Sequence, residues 1–201
     1  LTHLANVNKA DAVTGHTASD RAETVVHQLS RGSDLAGLGS LRAVRPLQAH
    51  SPKGAQLRRP LMVFNRDETA QICSDLQLPI WNDPGNQSTD FARNRIRQDV
   101  MPVLEELNPG CSRRLAELAE RMSQLRDTQL ILGTFALETL KKDQGLDRKA
   151  LGKLPQPTRR QLLAQWLRLQ GVPDLDARSL EQLSHRLRQS APAGEAHLPQ
   201  G

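Results

Sequence analysis

Tyrosine is missing from this 201-residue chain, and the other aromatics are few: Phe64, Phe91, Phe135, Trp81 and Trp166. A platform of stacked aromatics for single-stranded nucleic acid is therefore not expected, and any RNA would be held through phosphates and shape. Cysteine is almost as scarce. Cys73 and Cys111 form no C-x-x-C pair, so neither a disulfide framework nor a zinc site is suggested, and both read as packed or idle thiols. No apolar run approaches the roughly 20 residues of a membrane span, and no signal-peptide pattern opens the sequence. The expectation is a cytoplasmic protein with no membrane partner. No Lys is followed by Ser or Thr, which excludes a Walker loop within these residues.

What is present is enough for a core, since 37% of the residues are apolar, and two small domains are the preferred division. The net charge is +5. Both signs balance up to residue 140, and the excess lies beyond it. A basic module attached to a neutral one points to a polyanionic partner, most often nucleic acid, with a merely solubilising surface as the plain alternative.

The stretch TGHTASDRAETVVHQLSRG, residues 14–32, reads as a strand end, a turn and a helix. At about 100° per residue, Ala22, Val25, Val26 and Leu29 share one side, and Asp20, Glu23, Thr24, His27 and Arg31 form a polar stripe opposite. The same residues fit a blander account, because Asp20 and Glu23 have the D-x-x-E spacing of a capping box. Before them, LTHLANVNKA reads as a short helix leading to a strand at 12–14. Ligands of open α/β sheets bind beyond the carboxyl ends of strands, where His16 to Asp20 lie.

After Arg31, Gly32, Gly37 and Gly39 suggest a loop where backbone approaches a neighbour or ligand. Residues 48–58 read as a polar surface loop. A helix is expected over 66–76, capped by Asn65 with Glu68 three residues on, its apolar side made by Thr69, Ile72, Cys73 and Leu76. Residues 78–81 lead out of it in extended form. In DPGNQSTDFARNRIR, residues 83–97, the first four residues are turn formers. Arg93, Arg95 and Arg97 then supply guanidinium forks suited to phosphate or carboxylate. If Arg93 begins a helix, Arg97 lies one turn on along the same side and Arg95 points elsewhere.

Asn108-Pro109-Gly110 breaks that helix and marks the expected domain boundary. Beyond it, Ser112 is placed to cap a long helix to about residue 142, with Leu115, Leu118, Met122, Leu125, Leu132 and Ala136 in an a/d rhythm. Two further helices, over 157–170 and 176–189, complete a bundle that bears Lys149, Lys153, Arg159, Arg160, Arg168, Arg186 and Arg188. The Pro/Gly-rich tail, 191–201, reads as a linker toward a further domain.

Two of these stretches resemble one known family. Residues 14–32 resemble the G-H-H-x-D-D-x-x-E-T … L-L-R-G signature of tRNA(Ile)-lysidine synthases, within the N-type ATP pyrophosphatase superfamily. Gly15, His16, Asp20, Glu23, Thr24, Arg31 and Gly32 match, while Thr17 and Ser19 depart. Arg59-Pro60-Leu61 resembles the family's R-P-L phrase. Residues 83–97 resemble its D-P-S-N … R-N-x-I-R phrase through Asp83, Asn86, Arg93, Asn94 and Arg97, with Gly85 in place of Ser. The resemblance covers about 1–110 with specific motifs and the remainder only by helical style.

The resemblance implies an α/β fold class, the C-terminal part of a parallel-sheet adenine nucleotide alpha hydrolase-like domain over 1–110, followed by an all-α helical domain over 111–190 that helps hold tRNA. The family's S-G-G-x-D-S phosphate loop has no counterpart, since no Gly-Gly pair occurs. The chain is accordingly read as cut at both ends and as unable to adenylate a substrate by itself. The implied reaction ligates L-lysine to C2 of the wobble cytidine of a tRNA(Ile) with a CAU anticodon, using ATP and Mg²⁺. Asp20, Glu23, Arg93 and Arg97 take the catalytic positions, with Asp20 also a candidate Mg²⁺ ligand. His16, Thr24, Arg31 and Asn94 are candidate substrate-binding residues, and Arg159, Arg160, Lys149 and Lys153 candidate tRNA-binding residues. A homodimer is a candidate assembly. The rival readings are a non-catalytic basic tRNA-binding module and another tRNA-modifying ATP pyrophosphatase; a thiolase of that kind would want paired cysteines.

Overall fold

A computed structural model describes residues 2–48, 54–81, 85, 91–143, 145–172 and 175–188 of the chain. Helix α1 (Thr2–Asn8) leads to strand β1 (Ala12–Val13), as the sequence predicts. Helix α2 (Ala18–Ser30) follows after the turn at 14–17. Its capping box lies one step earlier than the D-x-x-E spacing indicates: Thr17 is the N-cap and Asp20 the third helical residue. Asp20, not Glu23, returns its carboxylate to the cap, which leaves Glu23 without a capping duty.

One strand falls inside the loop expected over 48–58, and another lies just before it. After the short helix α3 (Leu35–Leu38), capped by Asp34, come β2 (Val44–Pro46) and β3 (Gln56–Arg58). β3 is central, pairing parallel with β1 and antiparallel with β2. Each strand spans only two or three residues, too short for an alternating pattern to stand out. Asp11 ties the parallel pair by accepting from the Gln56 amide and the Arg58 guanidinium. The sheet thus sets β1's carboxyl end, Thr14-Gly15-His16, beside the start of α2.

A 3-10 turn, Pro60–Val63, joins β3 to helix α4 (Arg66–Asp75), whose Asn65/Glu68 capping box forms as expected. The Ala18 amide donates to the Phe64 carbonyl at 2.8 Å, so α2 and α4 start side by side. The expected apolar side of α4 is not buried: Ile72 and Leu76 are exposed.

Helix α5 (Ala92–Arg95) runs through a π-helical stretch, Ile96–Val100, into α6 (Met101–Leu107). Pro102 has no N–H to return to the preceding turn, and Met101 donates five residues back to Ile96, the wider loop of a π turn. Ala22, Ile96 and Met101 form a buried cluster, with Val26, Leu104 and Leu115 against it. That cluster fixes α2 against the 92–107 helical run.

The long helix α7 (Cys111–Thr139) stops before residue 142. Its buried side is offset by one residue from the expected leucine seam: Ala116, Ala119, Ser123 and Leu137 are buried, while Leu125 and Leu132 are exposed. Small residues win because the neighbours come close. A Cβ on Gly39 would stand 2.7 Å from the Ser123 amide nitrogen, and one on Gly133 would stand 3.0 Å from Gln165 Cδ. The chain divides into compact units of residues 1–126 and 127–201, the division falling inside α7.

In the second unit, Lys141–Lys142 (β4) and Gly145–Leu146 (β5) form a minimal hairpin where the leucine rhythm predicts that the long helix ends. Helices α8 (Arg148–Lys153), α9 (Gln156–Leu169) and α10 (Ala177–Arg188) follow. Leu137, Leu151 and Leu162 form their core, with Trp166 and Leu187 packed on it. The α/β-plus-helical class expected from the sequence is the class observed. Among the described residues no helix is long and apolar enough to cross a membrane.

The start of α7 is capped from outside, not by Ser112. Glu105 of α6 accepts from the amides of Gly110, Cys111 and Ser112 at 2.6–3.1 Å. The Ser112 hydroxyl and amide, then the Gly110 and Cys111 amides, hold its carboxyl down at about 2 instead of 4.5. A folded-state value below the unfolded one stabilises at pH above the unfolded value and is lost as pH falls through the folded one. In urea unfolding, Glu105→Gln is expected to be less stable than the parent near neutrality. The gap should narrow below pH 4.5 and close near pH 2; a gap independent of pH would show that the carboxylate charge does not cap α7.

Candidate functional site

Asp20 and Glu23 lie one turn apart on α2, and the turn that Thr17 starts decides what each can reach. Asp20 divides its oxygens between fold and site. Oδ2 accepts from the Thr17 amide at 2.7 Å and the Thr17 hydroxyl at 2.8 Å, while Oδ1 faces away toward three guanidiniums. Glu23 has a side chain only 2% exposed and meets the same three.

Arg93 and Arg97 come from the 92–107 helical run, one turn apart, as the spacing predicts. Arg93 reaches Asp20 Oδ1 at 3.0 Å and Glu23 Oε2 at 3.3 Å. Arg97 donates from Nε to Glu23 Oε1 at 2.8 Å and from Nη2 to Glu23 Oε2 at 2.9 Å, a two-point fork, with Asp20 Oδ1 at 3.4 Å. Arg95 points away and pairs with Asp99. The third guanidinium is one that the motifs and their spacing do not single out. Arg66, the first residue of α4, reaches Glu23 Oε1 at 3.1 Å and Asp20 Oδ1 at 3.3 Å. One signal for it exists in the sequence: a cation in the first turn of a helix opposes the helix dipole and needs an anion nearby.

Three cations around two anions set the electrostatics. Burial works to raise the Asp20 carboxyl, but the Thr17 amide and hydroxyl, then Arg66 and Arg93, outweigh it and hold the group below the usual carboxylate range. The hydrogen bonds that Arg97 donates to Glu23 raise it above its ordinary value against the effect of burial. Burial also lowers His16, opposed by Asp20 and reinforced by Arg59 and Arg93, so its ring is neutral at pH 7. His16 Nδ1 lies 2.9 Å from the Thr14 hydroxyl.

Gly15, His16, Asp20, Arg93, Asn94 and Arg97 line one open cleft of about 340 Å³. The Asn94 side chain also donates to the Gly85 carbonyl at 3.0 Å. Not every expected residue joins. The Thr24 hydroxyl turns back to the Asp20 carbonyl at 2.8 Å, and Arg31 is exposed at the far end of α2, about 12 Å of helix rise from Glu23. Asp83 and Asn86 lie outside the described residues.

The donor set does not fit a divalent metal. Mg²⁺ wants several free hard oxygens, whereas Asp20 and Glu23 are already surrounded by three guanidiniums. Among the described residues no group of three or more His, Cys, Asp or Glu is placed to hold an ion. The expectation of Asp20 as a Mg²⁺ ligand has no support in this geometry.

In the second unit, Lys149 and Lys153 on α8 and Arg160 on α9 are exposed. Arg160 stands 3.5 Å from Glu181. Arg159 corrects the sequence reading. Its residue is 2% exposed, and its guanidinium donates to Ser184 Oγ and the carbonyls of Gly152 and Leu154 at 3.1–3.2 Å, joining α8, α9 and α10. It is not placed to meet a phosphate.

Comparison with known proteins adds three observations. A family model described as a PP-loop domain matches residues 1–104, and one described as a TilS substrate binding domain matches residues 146–201. A tRNA(Ile)-lysidine synthase of Parasynechococcus marenigrum (strain WH8102) is 64% identical over 96% of this chain and 57% of its own length. Proteins of the same name from a strain of Prochlorococcus marinus and from Synechococcus sp. (strain ATCC 27144 / PCC 6301 / SAUG 1402/1) are 42% and 38% identical, over 92% and 98% of this chain and 54% and 59% of theirs. The chain thus spans little more than half the length of these relatives.

The two neighbouring arginines of α9 give a direct contrast. Arg159→Ala is expected to cost about 3 kcal/mol, since it removes a buried side chain and strands its hydrogen-bond partners. Arg160→Ala should stay within about 0.5 kcal/mol. Equal losses in urea unfolding would contradict the structural role of Arg159.

Proposed function

Since this chain belongs to the PP-loop family, we propose that it supplies the acid–guanidinium pocket and an RNA-holding module of a tRNA-modifying ligase. The reaction joins L-lysine to C2 of the wobble cytidine of a tRNA(Ile) with a CAU anticodon. The C2 oxygen of cytidine attacks the α-phosphorus of ATP, and pyrophosphate leaves. The lysine side-chain amine then attacks C2 after losing a proton, and AMP departs with the former C2 oxygen. The observation that carries this reading is the cluster in which Arg93 and Arg97, beside one cleft, face Asp20 and Glu23.

Each step makes a demand that these residues can meet. Fixed guanidiniums stabilise negative charge on phosphoryl oxygens as it moves, which suits Arg93 and Arg97. The lysine ammonium needs carboxylates to bind it, which suits Asp20 and Glu23. His16, neutral at pH 7, and Asn94 stand on the cleft wall as polar contacts for the nucleotide or the cytidine. ATP binding is the property that the PP-loop family implies, and the TilS substrate binding domain match at 146–201 supports the tRNA. The exposed Lys149, Lys153 and Arg160 are the proposed phosphate-binding side chains in that module.

Glu23→Gln keeps the shape of the side chain and removes its charge. In an active enzyme containing this chain, it is expected to lower lysidine formation by at least about 100-fold while the circular dichroism spectrum stays helical. A near-normal rate would leave Glu23 a purely structural anion. Replacing Lys149, Lys153 and Arg160 by Ala should flatten the salt dependence of tRNA binding by about one unit of slope for each phosphate that these side chains neutralise. An unchanged slope would assign those side chains to solvent.

A further inference from the structure

Arg66 is the one member of the charge cluster that the proposed chemistry does not use. It differs from its two companions in where it is anchored. Arg93 and Arg97 stand one turn apart on a single helical run and line the cleft, so one ligand can draw both toward itself. Arg66 comes from α4 and does not line the cleft. Its backbone is fixed on both sides: its amide donates to Ser19 Oγ at 3.0 Å, and its carbonyl accepts from the Thr69 hydroxyl at 2.8 Å. It holds its charge at the positive end of a helix, a placement that the two carboxylates must offset.

The charge count then gives Arg66 a role. With all three guanidiniums in place the cluster carries one net positive charge. If Arg93 and Arg97 both turned to phosphate, two close carboxylates without Arg66 would be left with two negative charges, an invitation to a divalent cation. We infer that Arg66 is a positioning residue that stays on Asp20 and Glu23 when Arg93 and Arg97 engage phosphate, leaving a single net negative charge that selects one ammonium group over a divalent metal. The inference rests on the ligase reading proposed above. It also accounts for the misfit of Mg²⁺ in the same geometry: the pair is a monocation receptor that a permanent guanidinium keeps from becoming a metal site.

The test is steady-state lysidine formation by the active enzyme at saturating ATP, with lysine varied at several concentrations of Mg²⁺ in excess over ATP. The parent's KM for lysine is expected to be independent of the excess Mg²⁺. In Arg66→Gln it should climb about tenfold as Mg²⁺ is raised, competitively with lysine and with kcat changed less than about threefold, because the bare acid pair now accepts the metal. Arg66→Lys, which keeps the charge, should restore independence. A lysine KM in Arg66→Gln that ignores Mg²⁺, or a fall in kcat alone, overturns the role given to Arg66. If the glutamine variant does not fold, Arg66→Lys carries the test, and competitive Mg²⁺ inhibition in it overturns the inference. An active parent with an unmoved Arg66→Gln sinks only this inference, whereas a parent that forms no lysidine sinks the ligase reading as well.

Discussion

The constraint on which the first unit depends is the burial of Glu23. A carboxylate almost shut off from water must be paired and hydrogen-bonded, because its desolvation costs several kcal/mol. One partner would satisfy the charge but not all the lone pairs. Three guanidiniums do so, and they come from two stretches far apart in the chain: α4 and the helical run that begins at Ala92. The ion cluster therefore acts as a tertiary lock. Where α2 sits, α4 and the 92–107 run must present arginines.

Apolar packing sets the distance at which this lock closes. Ala22 and Val25 are fully buried on the side of α2 away from the acids, and Ala22 meets Ile96, which precedes Arg97 in the chain, and Met101, one turn beyond it. The π-helical stretch Ile96–Val100 carries both kinds of contact, with Arg97 on the acids and Ile96 in the apolar cluster. Pro102 accounts for its wider turn in covalent terms. Asp20 completes the arrangement from the opposite direction. One of its oxygens starts α2 through Thr17, and the other belongs to the arginines, so helix initiation and site charge share one side chain.

In the second unit, positive charge and its use come apart. Arg159 and Arg160 are adjacent in the chain, yet one is sealed among α8, α9 and α10 and the other faces water. A helix turns its neighbours by about 100°, so a run of basic residues necessarily divides between faces. Its total charge describes the surface only after the core has taken its share.

The sequence by itself determined the local things. The turn-plus-helix of 14–30, the Asn65 cap, the same-side placement of Arg93 and Arg97 and the opposite direction of Arg95 all follow from spacing within one helical segment, and helical geometry is the same wherever a helix is placed. What the tertiary structure decided is whatever depends on partners distant in sequence. Strands β2 and β3 are three residues each and exist through pairing; over residues 116–133 the buried side of α7 goes to alanine, serine and glycine, with neighbours close against Ser123 and Gly133. Glu105 replaces Ser112 as a cap because the chain folds back onto it, and Arg66 joins the acids because Ser19 and Phe64 hold the starts of α4 and α2 together. Periodicity fixes direction along one element, and only packing fixes which elements meet.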